Sequence, residues 1–174
     1  MRIERVIDRL YCGGSMNDAM TAHATIQQYG VTHILDLNCH CDYEKIHGTP
    51  LESVEVLHYE VKDDGEPRTL RWCVASLAFA YDAMHDPASV LFIHCAAGHN
   101  RSVSICYGLL RMLGYDADTA KQLMIEYSER IFARDPNSKV LKRVRYAHDV
   151  DSVVEWLGPA LIAAAPAMRK EIQL

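Results

Sequence analysis

The chain is short of the features that mark membrane, nucleic-acid-binding and disulfide-stapled proteins. It has no run of about 18 apolar residues, so no spanning helix is expected. Positive charge is scarce: 18 Lys and Arg face 23 Asp and Glu, a formal net charge of −5. That balance argues against a general nucleic-acid or anionic-membrane binder and leaves room only for a local basic pocket. The opening Met-Arg-Ile-Glu-Arg-Val-Ile-Asp is no secretory signal. Six cysteines without such a leader point to a reducing, cytoplasmic setting rather than a disulfide framework. Internal repeats and low-complexity linkers are also lacking. What remains is an ordinary globular composition, 49% hydrophobic over 174 residues. It predicts a single domain over 1–174 with one core, in which the Ala-rich stretch 158–174 reads as a tail.

What is present centres on Val90 to Ser102. Val90-Leu91-Phe92-Ile93 is apolar, β-branched and aromatic enough for a buried strand. A His94-Cys95 pair follows, then Ala96, Ala97, Gly98, His99 and Asn100, then Arg101 and Ser102. Beyond Arg101 the period changes to helix, with Val103, Cys106, Tyr107 and Leu110 on one face. A thiol and a guanidinium thus share a tight loop between a strand and a helix start. Backbone N–H groups in such a loop converge, and the helix N-terminus adds positive potential, so a phosphate fits there. The planar fork of Arg101 grips two phosphate oxygens in a way Lys does not. The same field favours a thiolate at Cys95, a nucleophile aimed at phosphorus.

His94-Cys95-x5-Arg101-Ser102 resembles the signature of cysteine-dependent protein phosphatases, most of all their dual-specificity branch. Arg9-Leu10-Tyr11-Cys12-Gly13-Gly14 resembles the opening of the same domains. The resemblance runs from about Ile3 to Trp156 and implies an α/β fold, a central, mostly parallel sheet of about five strands flanked by about six helices. It implies Cys95 as nucleophile, Arg101 as phosphate clamp, His94 as the residue that orients the loop, and Ser102 as the hydroxyl that stabilises the departing thiolate. The backbone of Ala96, Ala97, Gly98, His99, Asn100 and Arg101 would cradle the phosphate. A helix N-cap is the plainer role for Ser102. Ester cleavage also needs a proton donor on a loop. Asp63-Asp64-Gly65-Glu66-Pro67 resembles the acid loop of the superfamily, an Asp followed four residues later by Pro. That register selects Asp63, and Asp64 is the alternative acid. No metal or other cofactor is implied, and the expected partner is a phosphorylated protein.

The rest of the chain supplies a βα rhythm. Ile3 to Cys12 reads as an opening strand pair. Asn17 or Asp18 caps a helix to about Tyr29, and Gly30 stops it. Val31 to Asn38 and Val54 to Lys62 read as strands, and Thr69 to about His85 as a helix with Leu70, Cys73, Val74, Leu77, Tyr81 and Met84 inward. Gly114 ends the helix after the Cys95 loop, and Asp116 or Asp118 opens the next. A last helix spans Lys139 to about Trp156, its Lys139, Lys142, Arg143 and Arg145 forming a solvated basic face or a substrate-docking surface. Cys39, His40, Cys41 and His47 sit in the loop after the strand Val31 to Asn38. Their spacing matches no common zinc pattern. By resemblance, Cys39 or Cys41 is placed to form a reversible disulfide with Cys95. Asn100 before Arg101 also occurs in RNA 5′-triphosphatases, so that activity, a phosphoinositide phosphatase, a non-catalytic phosphate reader and a rhodanese-like sulfurtransferase remain as alternatives.

Overall fold

The computed structural model describes residues 3–15, 19–38, 53–132 and 144–155. Five short strands form one sheet: β1 (Ile3–Ile7), β2 (Leu10–Gly13), β3 (His33–Asp36), β4 (Glu55–His58) and β5 (Leu91–His94), in the order β1-β2-β5-β3-β4. Only the β1–β2 hairpin is antiparallel; β2–β5, β5–β3 and β3–β4 are parallel. The hairpin turns at Arg9, whose φ is 61°. Its guanidinium bonds the carbonyls of Asp86 (2.6 Å) and Ser89 (3.2 Å), which holds this left-handed residue in place.

Parallel strands need crossovers, and a helix supplies those from β2 to β3 and from β4 to β5. The described helices are α1 (Ala19–Tyr29), α2 (Leu70–His85), α3 (Arg101–Met112), α4 (Ala117–Phe132) and α5 (147–155). These are five among the described residues, beside the predicted six or so. The alternation of each strand sorts its side chains between two faces. Leu10, Cys12, Leu35, Leu57, Leu91 and Ile93 join the main core with α2 to α5. Ile34 and Phe92 face the other way, with Ala22 of α1 and Val31. Helix α3 is buried from Arg101 to Leu110, as the central helix of that layer.

Three expectations change in detail. The predicted strand Val54–Lys62 is regular only over Glu55–His58, because the chain then leaves the sheet for the loop that carries Asp63 and Asp64. Helix α2 is buried nearly all round from Trp72 to Ala80, whereas Leu70, in its first turn, is 46% exposed. Ala75, Ser76, Ala78 and Ala80 are small enough to let the helix sit close to its neighbours on several sides. Arg145 lies in a turn before α5, not inside a helix. Asn17, Asp18, the 39–52 segment with Cys39, His40, Cys41 and His47, the basic Lys139, Lys142 and Arg143, and the tail 158–174 lie outside the described residues.

Candidate active site

The β5–α3 junction places the predicted residues together. Cys95 is 1% exposed, and its N–H donates to the Gly13 carbonyl at 3.4 Å, extending the β2–β5 ladder past the strand end. Beside it, Ser15 N–H donates to Ala96 O at 3.1 Å. The loop therefore leans on Gly13-Gly14-Ser15, at the end of the segment whose sequence resembles the opening of dual-specificity phosphatase domains. At Gly98 the φ is +72°, and a Cβ would sit 2.7 Å from Gly13 C and 2.9 Å from the Tyr127 hydroxyl oxygen. Glycine is required there twice, for conformation and for space. Tyr127 donates from α4 to Gly98 O at 3.0 Å, and burial raises its pKa, so it stays a phenol donor. His99 stacks on Phe132, ring centroids 3.8 Å apart.

Helix α3 begins immediately after the loop, with Asn100 at the N-cap position and no side-chain capping bond. Ser102 is accordingly not the N-cap. Its Oγ lies 3.3 Å from Cys95 Sγ, both atoms buried, so the hydroxyl has the thiol as its neighbour. The Arg101 side chain is buried, and one terminal nitrogen donates to Leu37 O (2.9 Å) and Val61 O (2.8 Å). Its Nε, also buried, has no hydrogen-bond partner among the described residues. A buried guanidinium N–H that lacks a partner is costly unless an anion completes it.

Behind the loop lies a polar row the sequence reading missed. The parallel register pairs Asp36 with His94 on one side and His58 on the other. All three side chains fall on the α1 face. Asp36 is fully buried, 2.8 Å from His58 Nδ1 and 3.5 Å from His94 Nδ1, and it accepts the Asn38 N–H at 2.9 Å. Burial lowers the pKa of His94 despite the opposing pull of Asp36, so its imidazole is neutral. The sequence signal for this row was a lone carboxylate between the apolar Leu35 and Leu37 of a buried strand.

The loop Asp63–Pro67 separates its two aspartates. Asp63 accepts from Asn100 Nδ2 at 3.0 Å and from the Tyr146 hydroxyl at 3.0 Å, one on each carboxylate oxygen. Asp64 turns away: Arg68 donates to it at 2.8 Å, and this bond holds its carboxyl below the usual range. The Arg68 guanidinium, itself buried, also bonds the carbonyls of Lys62 (2.6 Å) and Glu66, and stacks on Tyr146, 4.4 Å from the ring centroid. Arg68 and Tyr146 are a further arrangement to which the sequence reading gave no functional role; they lie 78 positions apart, with no periodic signal for their meeting. Among the described residues, no group of three or more His, Cys, Asp or Glu is arranged to hold a metal ion, and Cys12, Cys73, Cys95 and Cys106 are free thiols. No described helix is long and apolar enough to cross a membrane.

No protein-family model matches the sequence, and no curated protein matches it closely. Solved structures do. Human DUSP28 superposes with a TM-score of 0.64 at 19% identity, over 90% of this chain and 95% of its own. The PTP-2 phosphatase of Cydia pomonella gives 0.62 at 19% identity, over 87% and 89%. PTPMT1 in complex with PI(5)P gives 0.65 at 15% identity, over 95% and 99%. The five-stranded sheet and its helical layers thus form the fold of the dual-specificity phosphatases.

Proposed function

We propose that the protein is a cysteine-dependent phosphatase that hydrolyses phosphotyrosine and phosphoserine or phosphothreonine in proteins. The observation that carries this reading is the buried cluster of Cys95 Sγ, Ser102 Oγ at 3.3 Å and a guanidinium with an unused buried Nε at the start of α3. Arg101 Nε and the backbone N–H groups of Ala96 to Arg101 bind the phosphate oxygens, and the helix start adds positive potential. The Cys95 thiolate attacks phosphorus while Asp63 protonates the leaving oxygen. The cysteinyl-phosphate then reacts with water, from which the Asp63 carboxylate takes a proton, and inorganic phosphate and the thiolate are released. Ser102 donates to the thiolate as it leaves. His94, kept neutral by burial, holds the strand end from which the loop springs. Asp63 is favoured over Asp64 because it alone of the two reaches the Cys95 loop, through Asn100. This chemistry requires no metal, and free thiols suit the reducing cytoplasm.

The test is 4-nitrophenyl phosphate hydrolysis in the presence of a chelator. Wild type is expected to turn over, Cys95→Ser to be inactive, and Asp63→Ala to lose about 10²- to 10⁴-fold while Asp64→Ala stays within a few-fold. An inactive wild type or an active Cys95→Ser refutes the reading. One observation favours a second substrate class: the likeness to PTPMT1, whose structure holds PI(5)P. Turnover of inositol phospholipids in preference to phosphopeptides would select that class.

A further inference from the structure

The segment 145–149 touches residues 63–68 at five points. Tyr146 donates to Asp63 Oδ1 at 3.0 Å. Arg145 lies 3.9 Å from the same oxygen and against Gly65, where a Cβ would sit 2.6 Å from its Nη2. Asp149 Oδ2 accepts the Arg68 N–H at 2.9 Å, and Arg68 in turn is stacked on the Tyr146 ring while bonding the carbonyls of Lys62 and Glu66. From the opposite side Asn100, in the Cys95 loop, donates to Asp63 Oδ2 at 3.0 Å. The carboxylate is thus gripped on both oxygens, and the backbone on either side of it is fixed by a buried guanidinium.

We propose that Tyr146 is a positioning residue for the general acid: with Asn100 it holds Asp63 over the Cys95 loop before substrate arrives. The inference rests on the reading of Asp63 as the acid. A loop that carries its acid on a free hinge must lose conformational freedom in each turnover, whereas a clamped one has lost it on folding. A phenol is also suited to both halves of the reaction. Its hydroxyl donates to Asp63 Oδ1 in the carboxylate and, as the carbonyl oxygen, in the carboxylic acid, which leaves the acid proton on the other oxygen for the leaving group. Burial and the neighbouring Asp63 raise its pKa, so it keeps its proton throughout the working range.

A series of aryl phosphates of rising leaving-group pKa, ended by an alkyl phosphate, tests this with wild type, Tyr146→Phe and Asp63→Asn. The readout is kcat/KM, which reports the step in which the leaving group departs. Phe keeps the ring under Arg68 and removes only the hydroxyl, and melting temperatures are measured alongside. The loss in Tyr146→Phe is expected to grow with leaving-group pKa and to reach about tenfold for the alkyl ester, the worth of one hydrogen bond. Asn100→Ala removes the other tether, is expected to show the same trend, and carries the test if Tyr146→Phe lowers the melting temperature. A uniform loss across the series, or no loss, overturns the role of Tyr146 while a steep Asp63→Asn trend leaves the acid assignment standing. An Asp63→Asn variant with no dependence on the leaving group overturns both.

Discussion

Replacing Gly98 with Ala separates two costs that are usually confounded. The backbone there has φ +72°, a region that costs an L-residue about 1–2 kcal/mol. The added Cβ would also lie 2.7 Å from Gly13 C, 2.8 Å from Gly13 O and 2.9 Å from Tyr127 Oη. Two of those atoms are backbone of the neighbouring strand end and cannot swing aside, so the overpacking costs a further 1–3 kcal/mol or so. The sum is about 2–5 kcal/mol. Gly30 is the internal control, with φ +64° and nothing within 4 Å of its Cβ position. Gly30→Ala carries the conformational cost alone, about 1–2 kcal/mol. Urea unfolding of both variants, at unchanged m-value, measures the difference. Gly98→Ala is expected to be the worse by roughly 1–3 kcal/mol. It is also expected to lose affinity for inorganic phosphate, because the Cβ is accommodated only by moving the loop off Gly13. If the two variants are equally destabilised, the close approach of the loop to Gly13 is not a constraint, and the account of Gly98 given above is wrong.

Burial lowers the pKa of His94 below its unfolded value of 6.5, so between the two values the unfolded chain binds the extra proton. Stability therefore rises with pH through that window, reaches its full His94 contribution above 6.5, and is lost as the pH falls below it. Urea midpoints measured across that range should flatten in His94→Asn relative to wild type, and an unchanged slope would remove His94 as the cause. Arg101→Lys keeps the charge but cannot reach both Leu37 O and Val61 O while presenting a fork to phosphate. It is expected to cost about 10²- to 10³-fold in kcat/KM for 4-nitrophenyl phosphate, and a loss under tenfold would show that the fork geometry is not used.

The β5–loop–α3 unit was legible because everything that defines it is contiguous. The apolar run, the glycine, the Arg and the change of period sit within one stretch, and local sterics and hydrogen bonding suffice to specify them. The strand pair, α1, β3 and the helix punctuation at Gly30 and Gly114 were legible for the same reason. The end of β4 and the start of α5 were not; a strand stops where its neighbour stops pairing, and pairing is a property of the sheet. The choice between Asp63 and Asp64 was beyond the sequence as well. Adjacent residues on a loop point in different directions, and only the positions of Asn100, Tyr146 and Arg68 determine which carboxylate meets the Cys95 loop.

The row His58–Asp36–His94 shows the division most plainly. Its members are 22 and 36 residues apart along the chain. Asp36 and His58 lie inside predicted strands and His94 ends one, and the period-2 alternation already placed each on a definite face of its strand. That the three lie side by side follows from the strand order β5-β3-β4 and its parallel register. The sequence determined a strand, a phosphate-shaped loop and a helix, because those depend on neighbours in the chain. The tertiary structure decided which buried carboxylate faces which imidazole and which aspartate meets the Cys95 loop, because such pairs form only once the hydrophobic faces of separate elements have closed on one another.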